Sequence, residues 1–369
     1  MSVEVTLAGS AIASLTASAL KKLLKSEGIS KVTVSKDNKF EEVAKWYRSE
    51  KMVIVLGAGA SVAYGLPDWN TLLQKLLLIS LQSDDNSDQG NTSILAKTFS
   101  NVFQPNSLVA ARYLNNHFKK NHPTANLAFE NAIRDSLYSE VKSKEDSALL
   151  KEIRQFCIAP GRSPNLDSII TYNYDDLLEK CLSNIAVEIP YCPIHASGMR
   201  HKDHELPIYH VHGYLPQGGQ LTSKNKVVLS EDEYHQQYSD IYGWSNLTQI
   251  NKFKENNCIF VGLSFSDPNL RRILDIAKKE RGDNEIHHYC FKKRYSKSEV
   301  KNKLFRLIKD SSEIELDSEQ SDLSMISNDL IELVEQFDEN DAQSFGVGII
   351  WVDNYNEIPE SLRKIRLLI

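Results

Sequence analysis

The chain has 369 residues, with 43 Lys or Arg against 49 Asp or Glu and a formal net charge of −6, which gives no global attraction to nucleic acid or an anionic membrane. Its 41% hydrophobic and 25% charged residues are those of a globular chain able to bury one large core or two modest ones. No run approaches the roughly 20 apolar residues of a membrane span, and an N-terminus with Glu4 and no basic residue before Lys21 has the wrong charge order for a secretory signal, so a cytoplasmic protein is expected.

Residues 1–50 lack strand patterning. Ile12, Leu15, Ala19 and Leu23 repeat at helical spacing, as do Phe40, Val43, Ala44 and Tyr47. The reading is a two-helix N-terminal extension that packs on the main domain or forms a subunit contact. From residue 51 to 369 strands and helices mostly alternate. Short strands are expected at 52–56, 168–171, 186–189, 208–211, 258–261, 286–291 and 347–352. The expected fold is α/β: a Rossmann-like, mostly parallel sheet with helices on both faces. The interval after the first strand is far longer than a crossover helix needs. Trp69, Leu72, Leu73, Leu76 and Leu77 begin it as an amphipathic helix, and "LVAARYLNNHF" and "LAFENAIRDSLY" continue it. A helical insertion over approximately 78–165 is therefore expected. Near the C-terminus eleven Lys or Arg between Lys278 and Lys309 precede eleven acidic residues between Ser311 and Asp341; solvated helix faces or a partner surface would explain either block.

The five cysteines, Cys157, Cys181, Cys192, Cys258 and Cys290, show no C-x-x-C spacing, so neither a zinc knuckle nor a dithiol motif is written here. Reduced core thiols are the expectation.

Four stretches could carry chemistry. In "VIVLGAGASVAYGLPDW" an apolar strand breaks at Gly57-Ala58-Gly59-Ala60-Ser61 and resumes as a helical pattern. Such a turn can hold a phosphate on backbone N–H groups, or merely turn a corner; it lacks the Gly-Lys-Ser/Thr ending of an ATP-hydrolysing loop. In "SIITYNYDDLLEKCL" Asn173 and Asp175 fall beyond a strand's C-terminal end, where open α/β sheets bind ligands. Asp175 or Asp176 could equally cap the following helix, and Asn173 could form an Asx-turn. In "IYHVHGYLPQGG" His210 and His212, two apart on a strand, are expected to face the same side. Gly213 would leave His212 at the mouth of the sheet as a candidate general base, with His210 a satisfied interior residue; no third ligand motif supports a metal pair. In "CIFVGLSFSDPNLRRIL" Gly262 and Ser264 could approach a ribose or phosphate, and Asp267-Pro268 has the form of a helix N-cap.

The ordered series GAGAS, GLPDW, TYNYD, HVHG and GLSFSD resembles the sirtuin family over roughly residues 50–355. The resemblance implies NAD+ as substrate, with Gly57, Ala58, Gly59, Ser61, Pro67, Asp68, Gly262 and Ser264 binding it, and Asn173, His212 and Asp175 as catalytic residues. The four zinc cysteines of sirtuin deacylases are missing, so no zinc-ribbon small domain, no zinc and no metal are expected. Gly65-Leu66-Pro67-Asp68-Trp69 in place of the deacylase G-I-P-D-F is similar to the bacterial sirtuin-like domains of anti-phage defence, which destroy NAD+. Some of those carry a C-terminal nucleotide sensor and others pair with a HerA-type ATPase. With some fifteen residues after the last expected strand, the expectation is a stand-alone effector, homo-oligomeric, with such an ATPase as candidate partner and no direct contact with nucleic acid or membrane.

The implied reaction is cleavage of the nicotinamide–ribose bond to give nicotinamide and ADP-ribose. Asn173 would position water or ribose hydroxyls, His212 would act as base, and Asp175 would orient the nicotinamide or ribose side, its capping role remaining open. The competing readings are a sirtuin-type protein deacylase or ADP-ribosyltransferase, which would need an acceptor, and a non-catalytic NAD or ADP-ribose sensor, which would bind without releasing nicotinamide.

Overall fold

The computed structural model describes residues 35–82, 107–122, 127–141, 147–158, 165–185, 189–282, 285–310 and 320–369. The expected helix around Ile12 to Leu23 and the acidic residues 313–319 lie outside them. Within the described residues a seven-stranded sheet forms, with the strands in the order β3-β4-β2-β1-β5-β6-β7. They are β1 (Met52–Leu56), β2 (Leu166–Thr171), β3 (Tyr191–Ile194), β4 (Leu206–His210), β5 (Asn257–Val261), β6 (His288–Lys293) and β7 (Val347–Val352). Every pairing is parallel. Parallel strands need crossover connections and are covered on both faces, which is why all five β1 residues and all six of β7 are buried.

Helices cover both faces. One face buries Ile54, Ile169, Ile208 and Ile259 beneath α1 (Lys36–Arg48), α2 (Trp69–Gln82), α4 (Ala128–Tyr138), α5 (Ala148–Phe156), α6 (Leu177–Ser183) and α12 (Ile358–Leu367), with α3 (Ser107–Asn121) in the same layer. The other buries Val53, Val55, Ile170 and Phe260 against α8 (Trp244–Glu255) and α9 (Pro268–Arg281). Helix α7 (Glu231–Ser239) precedes α8, and α10 (Lys297–Asp310) and α11 (Gln320–Ser344) lie between β6 and β7. The long interval between β1 and β2 holds α2 to α5 and, among its described residues, no strand.

Helix α1 belongs to the core. Phe40, Val43, Ala44, Trp46 and Tyr47 are buried, Trp46 stacks on Tyr289 of β6 with centroids 5.2 Å apart, and Tyr47 donates its hydroxyl to the Phe156 carbonyl at 2.9 Å.

Several strand bounds shift: β6 runs two residues later than the expected 286–291, and β2 and β5 begin two residues and one residue earlier. No strand occupies the described part of 186–189; the edge strand is Tyr191–Ile194. It contains Pro193 and is half-buried along most of its length, a combination tolerated at an edge and lacking the apolar signal of a central strand. Strand β4 ends at His210, one residue earlier than expected, and Val211 and His212 form a turn. The charge blocks near the C-terminus also meet within the chain. Lys292 pairs with Asp338 at 2.7 Å and Arg294 pairs with Glu335, while Asp341 of the acidic block is gripped through two bonds of 2.6 and 2.7 Å by Arg271, which precedes the basic block.

Candidate active site

The strand order reverses at β1, which lies between β2 and β5. The loops leaving β1, β2, β4 and β5 therefore meet at the carboxyl edge of the sheet centre, where open α/β sheets form a ligand crevice. All four singled-out motifs occupy those loops.

The glycines of the first turn are required by its neighbour. Gly57 N–H donates to the Val261 carbonyl and Gly59 N–H to the Gly262 carbonyl, both at 3.0 Å, so the β1 and β5 loops stay joined beyond their strands. A Cβ on Gly57 would lie 2.6 Å from Gly262 O, and one on Gly59 2.7 Å from Gly262 Cα. Gly262 itself has φ +72°, a left-handed conformation glycine adopts without penalty. The outer surface of the turn is Ala58 and Gly59, which are exposed, whereas Gly57 and Ser61 are buried. Pro67 is half-buried and Asp68 exposed; Asp68 Oδ1 accepts from Thr71 N–H at 2.8 Å, capping α2.

Asn173 and Asp175 close on this turn from β2. Asn173 Nδ2 donates to the Gly57 carbonyl at 3.0 Å and to Ser61 Oγ at 3.1 Å. A carbonyl can only accept, so the amide orientation is fixed and Oδ1 is the remaining acceptor; among the described residues no donor bonds to it. Asp175 accepts from Ser61 Oγ at 2.9 Å through Oδ2 and from Leu177 N–H at 3.1 Å through Oδ1. Burial raises its carboxyl to about 6, against the lowering effect of those hydrogen bonds. Both oxygens of Asp175 thus brace the site; it bonds the first N–H of α6 from the residue before the N-cap, which is Asp176 and makes no side-chain capping bond. Asp176 instead accepts from Tyr138 at 2.9 Å and Gln217 N–H at 3.1 Å, and pairs with Lys180 at 2.9 Å.

The two histidines meet different neighbours, contrary to the expectation of a shared side, because the strand ends between them. His210, on β4, donates from Nδ1 to the Asn173 carbonyl at 3.2 Å, and its Nε2 lies 2.6 Å from Glu179 Oε1. It is a satisfied interior residue. His212, on the turn, meets the edge of the Tyr172 ring at 4.7 Å and of the Tyr234 ring at 5.8 Å. Its Nε2 is buried without a hydrogen-bond partner, 3.4 Å from Asp267 Oδ2. Burial lowers the His212 pKa and Asp267 opposes that, so the neutral, proton-accepting form prevails near neutrality.

On the β5 loop Ser264 is exposed, with its hydroxyl 2.6 Å from that of Ser266. Phe265 holds φ +56° while its ring packs on Phe260 at 5.1 Å. A left-handed non-glycine costs roughly 1–2 kcal/mol and persists where its surroundings over-determine it. Asp267 accepts from Asn269 and Leu270 N–H at 2.8 and 2.9 Å through Oδ1, and from the Tyr234 hydroxyl at 2.9 Å through Oδ2. The sequence signalled the cap alone. The contacts to Tyr234 and His212, and the bond from Tyr172 to Gln249, join distant segments and leave no local pattern.

Among the described residues no group of three or more His, Cys, Asp or Glu side chains could hold a metal, and all five cysteines are free thiols. No helix among them is long and apolar enough to cross a membrane.

The site thus combines an exposed backbone turn, an amide acceptor and a neutral imidazole at the switch point of a parallel α/β sheet. Residues 167–314 match the family model of the SIR2-like domain. Among curated proteins it is similar to the NAD(+) hydrolase ThsA of Enterococcus faecium, 25% identical over 205 residues covering 54% of this chain and 38% of that protein. ThsA of Bacillus cereus (strain MSX-D12) is 24% identical over 328 residues, 88% of this chain and 56% of its own. ThsA of Cytobacillus dafuensis is 22% identical over 336 residues, 90% and 56%. The chain spans about half the length of most of these relatives.

Proposed function

We propose that this protein is an NAD+ glycohydrolase that cleaves the nicotinamide–ribose bond, releases nicotinamide and ADP-ribose, and serves as an anti-phage effector by depleting NAD+. The observation that carries the reading is the free acceptor Oδ1 of Asn173, held beside a glycine turn whose outer face is open, together with a neutral His212 at the same sheet edge. The similarity to proteins named NAD(+) hydrolase supports it.

Nicotinamide departs from a pyridinium as a neutral molecule and needs no acid. The site has instead to support positive charge developing on the ribose and to present a nucleophile, a task of electrostatics and positioning. Asn173 Oδ1 accepts a hydrogen bond from the attacking water or a ribose hydroxyl, and His212 takes the proton. Ala58 and Gly59 offer the turn's surface to the diphosphate, while Gly57, Ser61 and Asp175 hold it in shape. Gly262 and Ser264 serve the adenosine half, and Pro67 and Asp68 border the turn. The protein acts in the cytoplasm as a homo-oligomer, with a HerA-type ATPase as candidate partner.

Purified protein incubated with NAD+, alone and with the candidate ATPase, is expected to release nicotinamide with no acyl-lysine or protein acceptor, as resolved by chromatography. His212→Ala should lower turnover at least ~10²-fold, the ordinary contribution of a general base. Tight NAD+ binding with no nicotinamide release under any of these conditions would replace the hydrolase with a sensor.

A further inference from the structure

We propose that Asp267 is the positioning residue of His212: its Oδ2 holds the hydrogen of Nε2 and so makes Nδ1 the ring nitrogen that accepts a proton. The inference rests on the reading of His212 as the base.

Three observations lead to it. Nε2 of His212 is buried and makes no hydrogen bond, and a polar atom in that position demands a partner. Asp267 Oδ2 is the carboxylate oxygen beside it, at 3.4 Å, a separation that shortens to a hydrogen bond with a small ring movement. Catalytic contacts are commonly long before substrate binds.

The carboxylate is itself immobilised. Its Oδ1 receives two N–H groups of α9 and its Oδ2 receives the Tyr234 hydroxyl. A helix cap uses only Oδ1, and Ser or Asn would serve as well. Capping therefore leaves the placement of Oδ2 between Tyr234 and His212 unexplained. The groups facing the imidazole are Tyr172 from the β2 loop, Tyr234 from α7 and Asp267 from the β5 loop. Burial raises both phenols far above neutrality, so Asp267 supplies the anionic charge at the ring. A neutral imidazole whose Nε2 carries the hydrogen has its lone pair on Nδ1.

Asp267→Asn and Asp267→Ser keep a capping oxygen for α9 and remove the carboxylate. Each variant would be compared with the wild type in thermal melting, in the pH dependence of NAD+ turnover and in the 15N–1H NMR signature of the His212 tautomer. Folded variants are expected to lose about 10-fold or more in kcat, with KM little changed. The acid limb of kcat/KM should move to lower pH, because the anion that raises the imidazole pKa is gone, and the Nε2–H tautomer should no longer dominate. A helix cap alone would move neither the limb nor the tautomer. Wild-type kcat, limb and tautomer in either folded variant would overturn the proposal. If the wild type releases no nicotinamide, or His212→Ala turns over normally, the reading of His212 as base fails instead. The tautomer measurement then still decides whether Asp267 holds Nε2.

Discussion

The side-chain amide of Asn173 reaches across 116 positions of sequence to donate to the Gly57 carbonyl at 3.0 Å, so the residue whose amide oxygen is left as an acceptor also fastens the glycine turn. Asn173→Asp keeps the shape and the acceptor but replaces both donated bonds with an anionic oxygen facing the Gly57 carbonyl and Ser61. Unmaking buried hydrogen bonds costs about 1–3 kcal/mol. The variant is expected to lose stability of that order in urea unfolding and to bind NAD+ more weakly in calorimetry. Wild-type stability and affinity would show that the turn does not depend on this amide.

Gly262 presses against Gly59 and Ala60, and a Cβ there would lie 2.6 Å from Ala60 N, a backbone atom that cannot rotate away. Its φ of +72° adds roughly 1–2 kcal/mol for any L side chain. Gly262→Ala should therefore destabilise the fold by at least that amount and separate the β1 and β5 loops, weakening NAD+ binding. Gly282 also has positive φ, +76°, but a Cβ there would meet nothing within 4 Å. Gly282→Ala should cost only the backbone penalty and leave NAD+ binding intact. Equal binding by the two variants would count against loop contact as the reason for Gly262.

Asp175 makes stability depend on pH in an unusual direction. Burial raises its folded carboxyl from 3.8 to about 6, so between those values the folded state binds more protons than the unfolded state. Stability from this group is full below about pH 4, falls as pH rises towards 6, and stays reduced above it. The shift corresponds to about 3 kcal/mol. Asp175→Asn removes this dependence, so the stability of the variant relative to wild type should improve by about that amount between pH 4 and pH 7. Denaturant midpoints across that range test it, and a difference that does not change with pH would refute it.

What was legible in the chain was whatever physics writes locally. The apolar run Met52–Leu56, the glycines that end it and the Asp267-Pro268 helix start each carry a short-range signature, and their order along the chain pointed to the sheet and its loops. The edge strand Tyr191–Ile194 was displaced from its expected place because proline and half-burial erase the strand signal. The inward turn of Ser61 onto Asp175 and the second oxygen of Asp267 were not readable. Both depend on contacts between loops far apart in sequence, which impose no period on the residues that make them. The separation of His210 from His212 turned on a single residue, the point at which β4 stops.

His210 and Glu179 form the most deeply buried ion-pair contact described, with side chains 1% and 6% exposed and Nε2 2.6 Å from Oε1. His210 Nδ1 donates to the Asn173 carbonyl, so Nδ1 carries a hydrogen, and the short Nε2–Oε1 contact requires a second proton between the partners. Glu179→Ala would leave the buried imidazole without its carboxylate partner, and removing one partner of such a pair costs roughly 3–5 kcal/mol. Glu179→Gln keeps the shape and can donate its amide N–H to the Nε2 lone pair while His210 still donates to Asn173 through Nδ1, and it should cost less. If the pair serves to hold the Asn173 main chain, turnover should follow the same order, wild type above Gln above Ala, in protein that remains folded by circular dichroism. Equal turnover in all three would reduce the pair to a packing element and leave Asn173 positioned by Gly57, Ser61 and Thr171.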